Sequence, residues 1–367
     1  VPVAVQELQN TRSATESYNV DNVPLGIALP AALISQMGRG ITLLFSDALH
    51  MPNDMEYNKS GMIFGSRVWL SSTTAGLSMS PALSQDLSSY IRQCVFSAKL
   101  LASHTLSAQT LKSSPKLSAV LFKEPSPVYR VIFQNGDNLS CIDAAKQLQS
   151  KLPHAAKKEL AQLSKIMSKG NNTDFNSSLS AAHNYFMDIS ATSSEILTQN
   201  ILINQVRNAQ ADAFAFEGAD AQMMNYTNSN AMQKMHIAEA NSFALASFNL
   251  PNYMSIFWII TVCIFPLVFL ISLIPSSNNV FKVYMQSQAY LWSWPPMFII
   301  IHFCVSFMAS RSINIFGGVE GGVTFSNIDA ISSKHSFAAY VAGALATSVP
   351  VISYYITKGL SPVLSGA

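Results

Sequence analysis

Charge is what this sequence has least of. Asp, Glu, Lys and Arg make up 11% of its 367 residues, where soluble domains carry about 25%, and 49% of the chain is hydrophobic. The net charge of +2 is too small to imply nucleic-acid binding by itself. Catalytic signatures are also missing. There is no GxxxxGK(S/T) to cradle a nucleotide phosphate, no GxSxG nucleophile turn and no HExxH zinc helix. Only four cysteines occur, without a CxxC and without a Cys/His cluster, so neither a structural metal nor a bound cofactor is expected. The densest acidic spot is Asp212, Glu217 and Asp220, which a solvated helix face explains. His236 and Glu239 stand three apart, but two residues do not make a metal site. The reading is of a protein that is not an enzyme.

What is present is a set of long uncharged runs. Residues 240–281 contain no charge, and within them 254–274 reads MSIFWIITVCIFPLVFLISLI. At about 1.5 Å per residue these 21 residues cross a hydrocarbon layer of about 30 Å. Two more candidate spans follow near 286–308 and 336–357. The expected fold is therefore a mainly α membrane protein, with a helical extramembrane domain over 1–250 and a bundle of at least three spans over 251–367. The sequence opens on Val1 without a secretion signal, and both ends are read as cuts.

Each candidate span contains proline: Pro266, the pair Pro295 and Pro296, and Pro350. Proline frees backbone carbonyls that lipid cannot satisfy, so these kinks should face other helices or a pore. His302, in FIIIHFCVSF, is an ionisable group at membrane depth. It serves either a functional site or, neutral, a hydrogen bond across helices. Trp292, Trp294, Tyr284 and Tyr290 look like an interfacial aromatic belt. The connector 311–335 reads as a flexible loop followed by a short amphipathic helix.

Before residue 250 the pattern is mainly helical. Residues 25–49 form either an interfacial helix or a core helix. A crossing is not expected there, because Arg39 would sit near mid-depth. Gly61 and Gly65 bracket Met62, Ile63 and Phe64, which suits close helix contact or a packed core turn. In 86–104, Leu87, Tyr90, Ile91, Cys94, Val95 and Ala98 form one stripe. Residues 125–133 are the one strand-like run, ahead of the turn residues Asn135, Gly136 and Asp137. Helices are expected over 142–152 and 155–169, separated by Pro153. Phe175, Leu179, Phe186 and Ile189 then keep a heptad-like spacing that continues to Ile196 and Ile203. That predicts one long helix whose seam is buried within its own domain or against a neighbouring subunit. A second helical stretch, 211–250, leads into the membrane.

Cys94 and Cys141 lie in the polar part, 47 residues apart. They suit a disulfide if this domain faces an oxidising compartment; otherwise they are two buried thiols. Positive charges do not decide the orientation, since Lys282 and Lys358 balance Arg311 and Lys334. A disulfide would place residues 1–250 outside the cytoplasm.

Several stretches resemble a known family. VDNVPLGIALP with Asp21, Asn22 and Pro24, YNKSGMIFGSRV with Gly61, Phe64 and Gly65, the QC at 93–94, the CIDA at 141–144, YLWSWPPMF and VPVISYYITKGL are similar, in order and spacing, to the N-terminal region of the TraG family. That family stabilises mating pairs in F-type conjugative type IV secretion. The resemblance implies a bacterial inner-membrane protein with a periplasmic domain, acting in pilus assembly, mating-pair stabilisation and DNA transfer. It also implies, by analogy with the polytopic channel component of simpler systems, a homo-oligomeric ring of about five copies. Implied partners are other secretion and pilus proteins, the lipid membrane and the translocated DNA–protein substrate. Family members carry further membrane helices ahead of VDNVP and a long C-terminal region, which these residues do not include. The alternative is a membrane-anchored periplasmic recognition module, with exclusion or partner contacts and no channel role.

Overall fold

The computed structural model describes residues 25–52, 55–57, 61–62, 64–76, 80–167, 175–217, 249–250, 252–274, 279–317 and 322–365, with positions 231, 235 and 238 between. Asp21, Asn22 and Pro24, and most of the stretch 211–250, lie outside the described residues.

The fold is helical, with a single two-stranded sheet among the described residues. The helices are α1 (Leu25–Ala48), α2 (Phe64–Thr73), α3 (Pro81–Tyr90), α4 (Ala108–Ser113), α5 (Leu117–Phe122), α6 (Cys141–Met167), α7 (Phe175–Met187) and α8 (Ser193–Glu217), followed by α9 (Asn252–Ser272), α10 (Asn279–Trp292), α11 (Trp294–Gly317) and α12 (Ile328–Ser365). α3 runs straight into a π-helical segment, Ile91–Ala102, whose wider winding shows where Ser97 Oγ donates to the carbonyl of Arg92 at 3.1 Å. Among the described residues, three helical stretches are long and apolar enough to cross a membrane: Asn252–Ser272, Asn279–Ile313 and Ile328–Gly359.

The strand-like run becomes a hairpin, β1 (Arg130–Ile132) against β2 (Asn138–Ser140), antiparallel with Val131 opposite Leu139. Gly136 takes a φ of +87°, and Asp137 N donates to Asn135 Oδ1 at 3.1 Å, so the turn residues act as their types predict.

Three expectations are corrected. Pro153 does not separate two helices, because α6 runs through it. Leu148, Leu152, Ala156 and Leu160 carry one buried stripe across the proline, while the ring itself faces outward. Burying three leucines stabilises by about 1.5–3 kcal/mol each, more than the about 3 kcal/mol an internal proline costs. Conversely, the heptad-like run from Phe175 is not one helix. Asp188, in the left-handed region at φ +56°, ends α7. Thr192 and Glu195 then form a capping box: Thr192 N donates to Glu195 Oε2 at 2.9 Å, and Glu195 N to Thr192 Oγ1 at 3.3 Å. The Thr192 hydroxyl, which donates to Glu195 Oε2 at 2.7 Å, and then the Thr192 N–H hold the Glu195 carboxyl below its ordinary pKa. The third correction is the connector: α11 continues to Gly317 and α12 begins at Ile328, leaving little room for a separate amphipathic helix.

The disulfide is present. Cys94, in the π-helical segment, bonds Cys141 at the start of α6, with Cα atoms 5.7 Å apart and both residues fully buried. Cys263 and Cys304 are free and exposed within the candidate spans.

Candidate functional site

The question for a chain with spans and a folded helical part is how the two are joined. One buried cluster runs across residue 250. It contains Trp69, Tyr90, Phe175, Phe186 and Leu197 together with Phe298, Ile301, Val305, Ile313, Ile331, Ala338 and Ala342. α11 from Phe298 to Ile313 and the N-terminal half of α12 thus pack as core helices. Their outer residues, among them Phe307, Phe337 and Tyr340, stay exposed.

The stretch Tyr57 to Val68 sits at this joint. Tyr57 stacks on Phe298, with ring centroids 6.1 Å apart, and lies 6.2 Å from the ring of His302. Burial raises the pKa of its phenol, so it stays neutral. His302 is fully buried and its Nε2 donates to the carbonyl of Met55 at 2.8 Å, which fixes the tautomer, since a carbonyl can only accept. Gly65 packs where a Cβ would come within 2.3 Å of Met55 Cε and 3.2 Å of Phe186 Cε2. Glycine thus lets α2 approach the Met55 side chain and α7 closely, where a Cβ would force the tip of Met55 to move. Gly61 meets no neighbour within 4 Å; its φ of +82° is what calls for glycine there. Phe64 opens α2.

Next to Gly65, Ser66 Oγ and His335 Nδ1 are hydrogen-bonded at 3.1 Å. The His335 ring stands edge-on to Phe186, centroids 4.5 Å apart, and 5.4 Å from Trp69, which lies 5.7 Å from His183. His183 Nδ1 donates to the carbonyl of Ile189 at 3.1 Å. Burial lowers its pKa, and that hydrogen bond only partly opposes the shift.

Polar ties fix the segment before α12. Gln199 Nε2 donates to the carbonyls of Ser114 at 3.2 Å and Val323 at 2.9 Å, and its Oε1 accepts from Leu117 N at 2.8 Å. Arg207 meets Asp329 at 2.7 Å and lies over the Phe325 ring, 5.4 Å from its centroid. A buried Lys99 caps the C-terminus of α5, donating to the carbonyls of Val120, Leu121 and Lys123, and burial lowers its pKa.

The candidate site residues separate on this geometry. His302 belongs to the joint. Phe175, Leu179 and Phe186 lie in the chain's own core, Ile189 packs against that core, and Phe186 touches the joint directly, so this seam offers no face to a second subunit. Pro295 and Pro296 occupy the first turn of α11, where a missing N–H costs nothing, so they start a helix at Ser293 instead of kinking one. Pro266 and Pro350 lie inside α9 and α12. His335, Ser66 and Gln199 were not singled out from sequence, because isolated polar residues in apolar or mixed runs carry no spacing signal. Among the described residues no three of His, Cys, Asp and Glu gather as metal ligands.

Residues 1–367 match the family described as TraG-like protein, N-terminal region. The chain belongs to that family. It is also 26% identical over 367 residues to Protein TraG of Escherichia coli strain K12, covering 98% of this chain and 38% of that protein. The chain therefore spans well under half of the curated relative's length. No solved structure matches. Within this TraG-like region, the stretch around Gly61 and Gly65 that carried the resemblance is the stretch that docks the helical part onto α11 and α12.

Proposed function

We propose that this TraG-like chain is an inner-membrane component of a conjugative type IV secretion system, needed for pilus assembly, mating-pair stabilisation and DNA transfer. Its helical part faces the periplasm and its spans form part of an oligomeric platform. The match to the TraG-like family along the whole chain carries this reading. The buried Cys94–Cys141 disulfide supports an oxidising compartment for the helical part. The exposed large apolar residues of α9, from Ile256 to Ile271, support a helix whose partners are lipid or other copies.

The platform reading is favoured over an anchored recognition module by the shared core: an anchor needs no His302–Met55 or Ser66–His335 bond. Two experiments test it. Deleting the gene should abolish pilus production and DNA transfer, and restoring it should recover both; transfer at the parental level in the deletion strain refutes the function. Mass measurement of the detergent-purified protein should give a multiple near five; a clean monomer removes the ring.

A further inference from the structure

α1 is built inside out for a helix in water. Its inward stripe consists of small residues, Ala31, Ser35, Gly38 and Thr42, of which Ala31, Ser35 and Gly38 are buried. Its outward stripe carries Leu33, Met37, Ile41 and Leu44, exposed by 56%, 70%, 47% and 70%, with Leu43 and Phe45 at its edges. A helix of a soluble domain puts its large apolar residues inside. The opposite distribution, with small residues between helices and large apolar ones outside, is that of membrane helices.

The contacts of α1 point the same way. A Cβ on Gly38 would lie 2.0 Å from the Trp292 ring, so this glycine lets α1 press on the end of α10. Ala31 shares a buried cluster with Trp258 of α9 and Leu291 of α10. The inward hydroxyl of Thr42 is satisfied within α1, donating to the Gly38 carbonyl at 2.8 Å. The inward stripe of α1 thus packs on α9 and α10, and the large apolar residues of both α1 and α9 are left exposed. Its 24 residues rise ~36 Å, enough for the ~30 Å hydrocarbon layer.

We infer that α1 is a fourth membrane-crossing helix, its outward stripe of Leu33, Met37, Ile41 and Leu44 seated on the acyl chains of the bilayer. This rests on the spans of the proposed function being membrane-embedded. It reverses the expectation drawn from Arg39, which is exposed on a flank of the inward stripe, well away from Leu33, Met37, Ile41 and Leu44. An exposed arginine lays its stem along apolar surface and carries its charge toward a polar layer, and Asp47 marks the Ala48 end of α1 as polar.

The test places single nitroxide labels at positions 33, 37, 41 and 44 of the full chain, in a Cys263→Ala/Cys304→Ala background, reconstituted in phosphatidylcholine–phosphatidylglycerol vesicles. Labels at the exposed Val128, just ahead of the hairpin, and at Leu267 in α9 serve as water and lipid references. Relaxation by oxygen should exceed relaxation by a water-soluble nickel chelate several-fold at all four positions. Depth should be greatest at the middle positions and decrease toward both ends. Nickel dominating at the four sites while Leu267 reads lipid overturns the assignment of α1 alone. Nickel dominating at Leu267 as well overturns the membrane reading beneath it. Four equal shallow depths mean a helix lying on the surface, and dipolar broadening at full labelling means a second copy on this face; either result overturns the proposal. Leu43→Cys replaces any label site whose variant loses its helical circular dichroism.

Discussion

Removing the Cys94–Cys141 bond should cost the helical part about 4 kcal/mol, the loop-closure entropy of a 47-residue separation in the chain-entropy model. The bond joins the π-helical segment to the first residue of α6, two elements otherwise held by side-chain packing around Tyr90, Val95 and Leu148. Cys94→Ala and Cys141→Ala each abolish the same cross-link, so the two losses should not add. Each also deletes a buried sulfur, which contributes about 1 kcal/mol more through lost packing. The single variants should therefore lose about 5 kcal/mol, and the double variant should lie within about 1 kcal/mol of either. The assay is denaturant unfolding of the full chain in detergent, followed by helical circular dichroism, with and without reductant. Reductant should destabilise the parent to near the double variant and leave the double variant unchanged. Two results would refute the reasoning: losses that sum in the double variant, or labelling of both thiols in the folded, oxidised protein.

Other outcomes follow from the joint and its surroundings. His302→Leu leaves the buried Met55 carbonyl without its donor and should cost about 1–3 kcal/mol, read as a lower melting temperature in detergent; an unchanged melting temperature counts against the joint. Gln199→Ala strips three backbone partners from one buried side chain and should cost more than Arg207→Ala, because Asp329 is half exposed and its ion pair is worth less than about 1 kcal/mol. Equal losses in the two variants would contradict that ranking. His183 is held neutral by burial, with its pKa below the ordinary 6.5. Above that pH it is neutral in both states. As pH falls below it the unfolded chain takes up a proton first, so stability drops until the folded pKa is reached. His183→Gln should flatten this acid-side slope, and an unaltered slope would assign it to other groups.

Much of this architecture was legible because it rests on strong local signals. The uncharged runs, the turn after residue 133 and the placement of Cys94 on a helical stripe all appear in the structure. The break between α7 and α8 was not read, because Ile189 and Ile196 extend the apolar spacing through it. The local signal was the Thr192–Glu195 capping pair, four residues past Asp188. The joint itself was hidden for a different reason. Residues 294–313 and 328–349 are apolar whether they face lipid or a protein core, and only tertiary contact tells the two apart. The same ambiguity hid α1, where one arginine outweighed a stripe of large apolar residues whose direction sequence does not state.

The shared core also has a mechanical consequence. α10 and α11, which meet at Ser293, together hold 35 residues from Asn279 to Ile313, about 15 more than the ~20 that one crossing needs. The excess is the length over which α11 is gripped by α7, Met55 and Tyr57. A helix clamped over that length cannot tilt in the bilayer without carrying the gripping elements with it. Bilayer thickness or a neighbouring subunit that sets the angle of these spans therefore sets the attitude of the whole helical part, as a handle sets its blade.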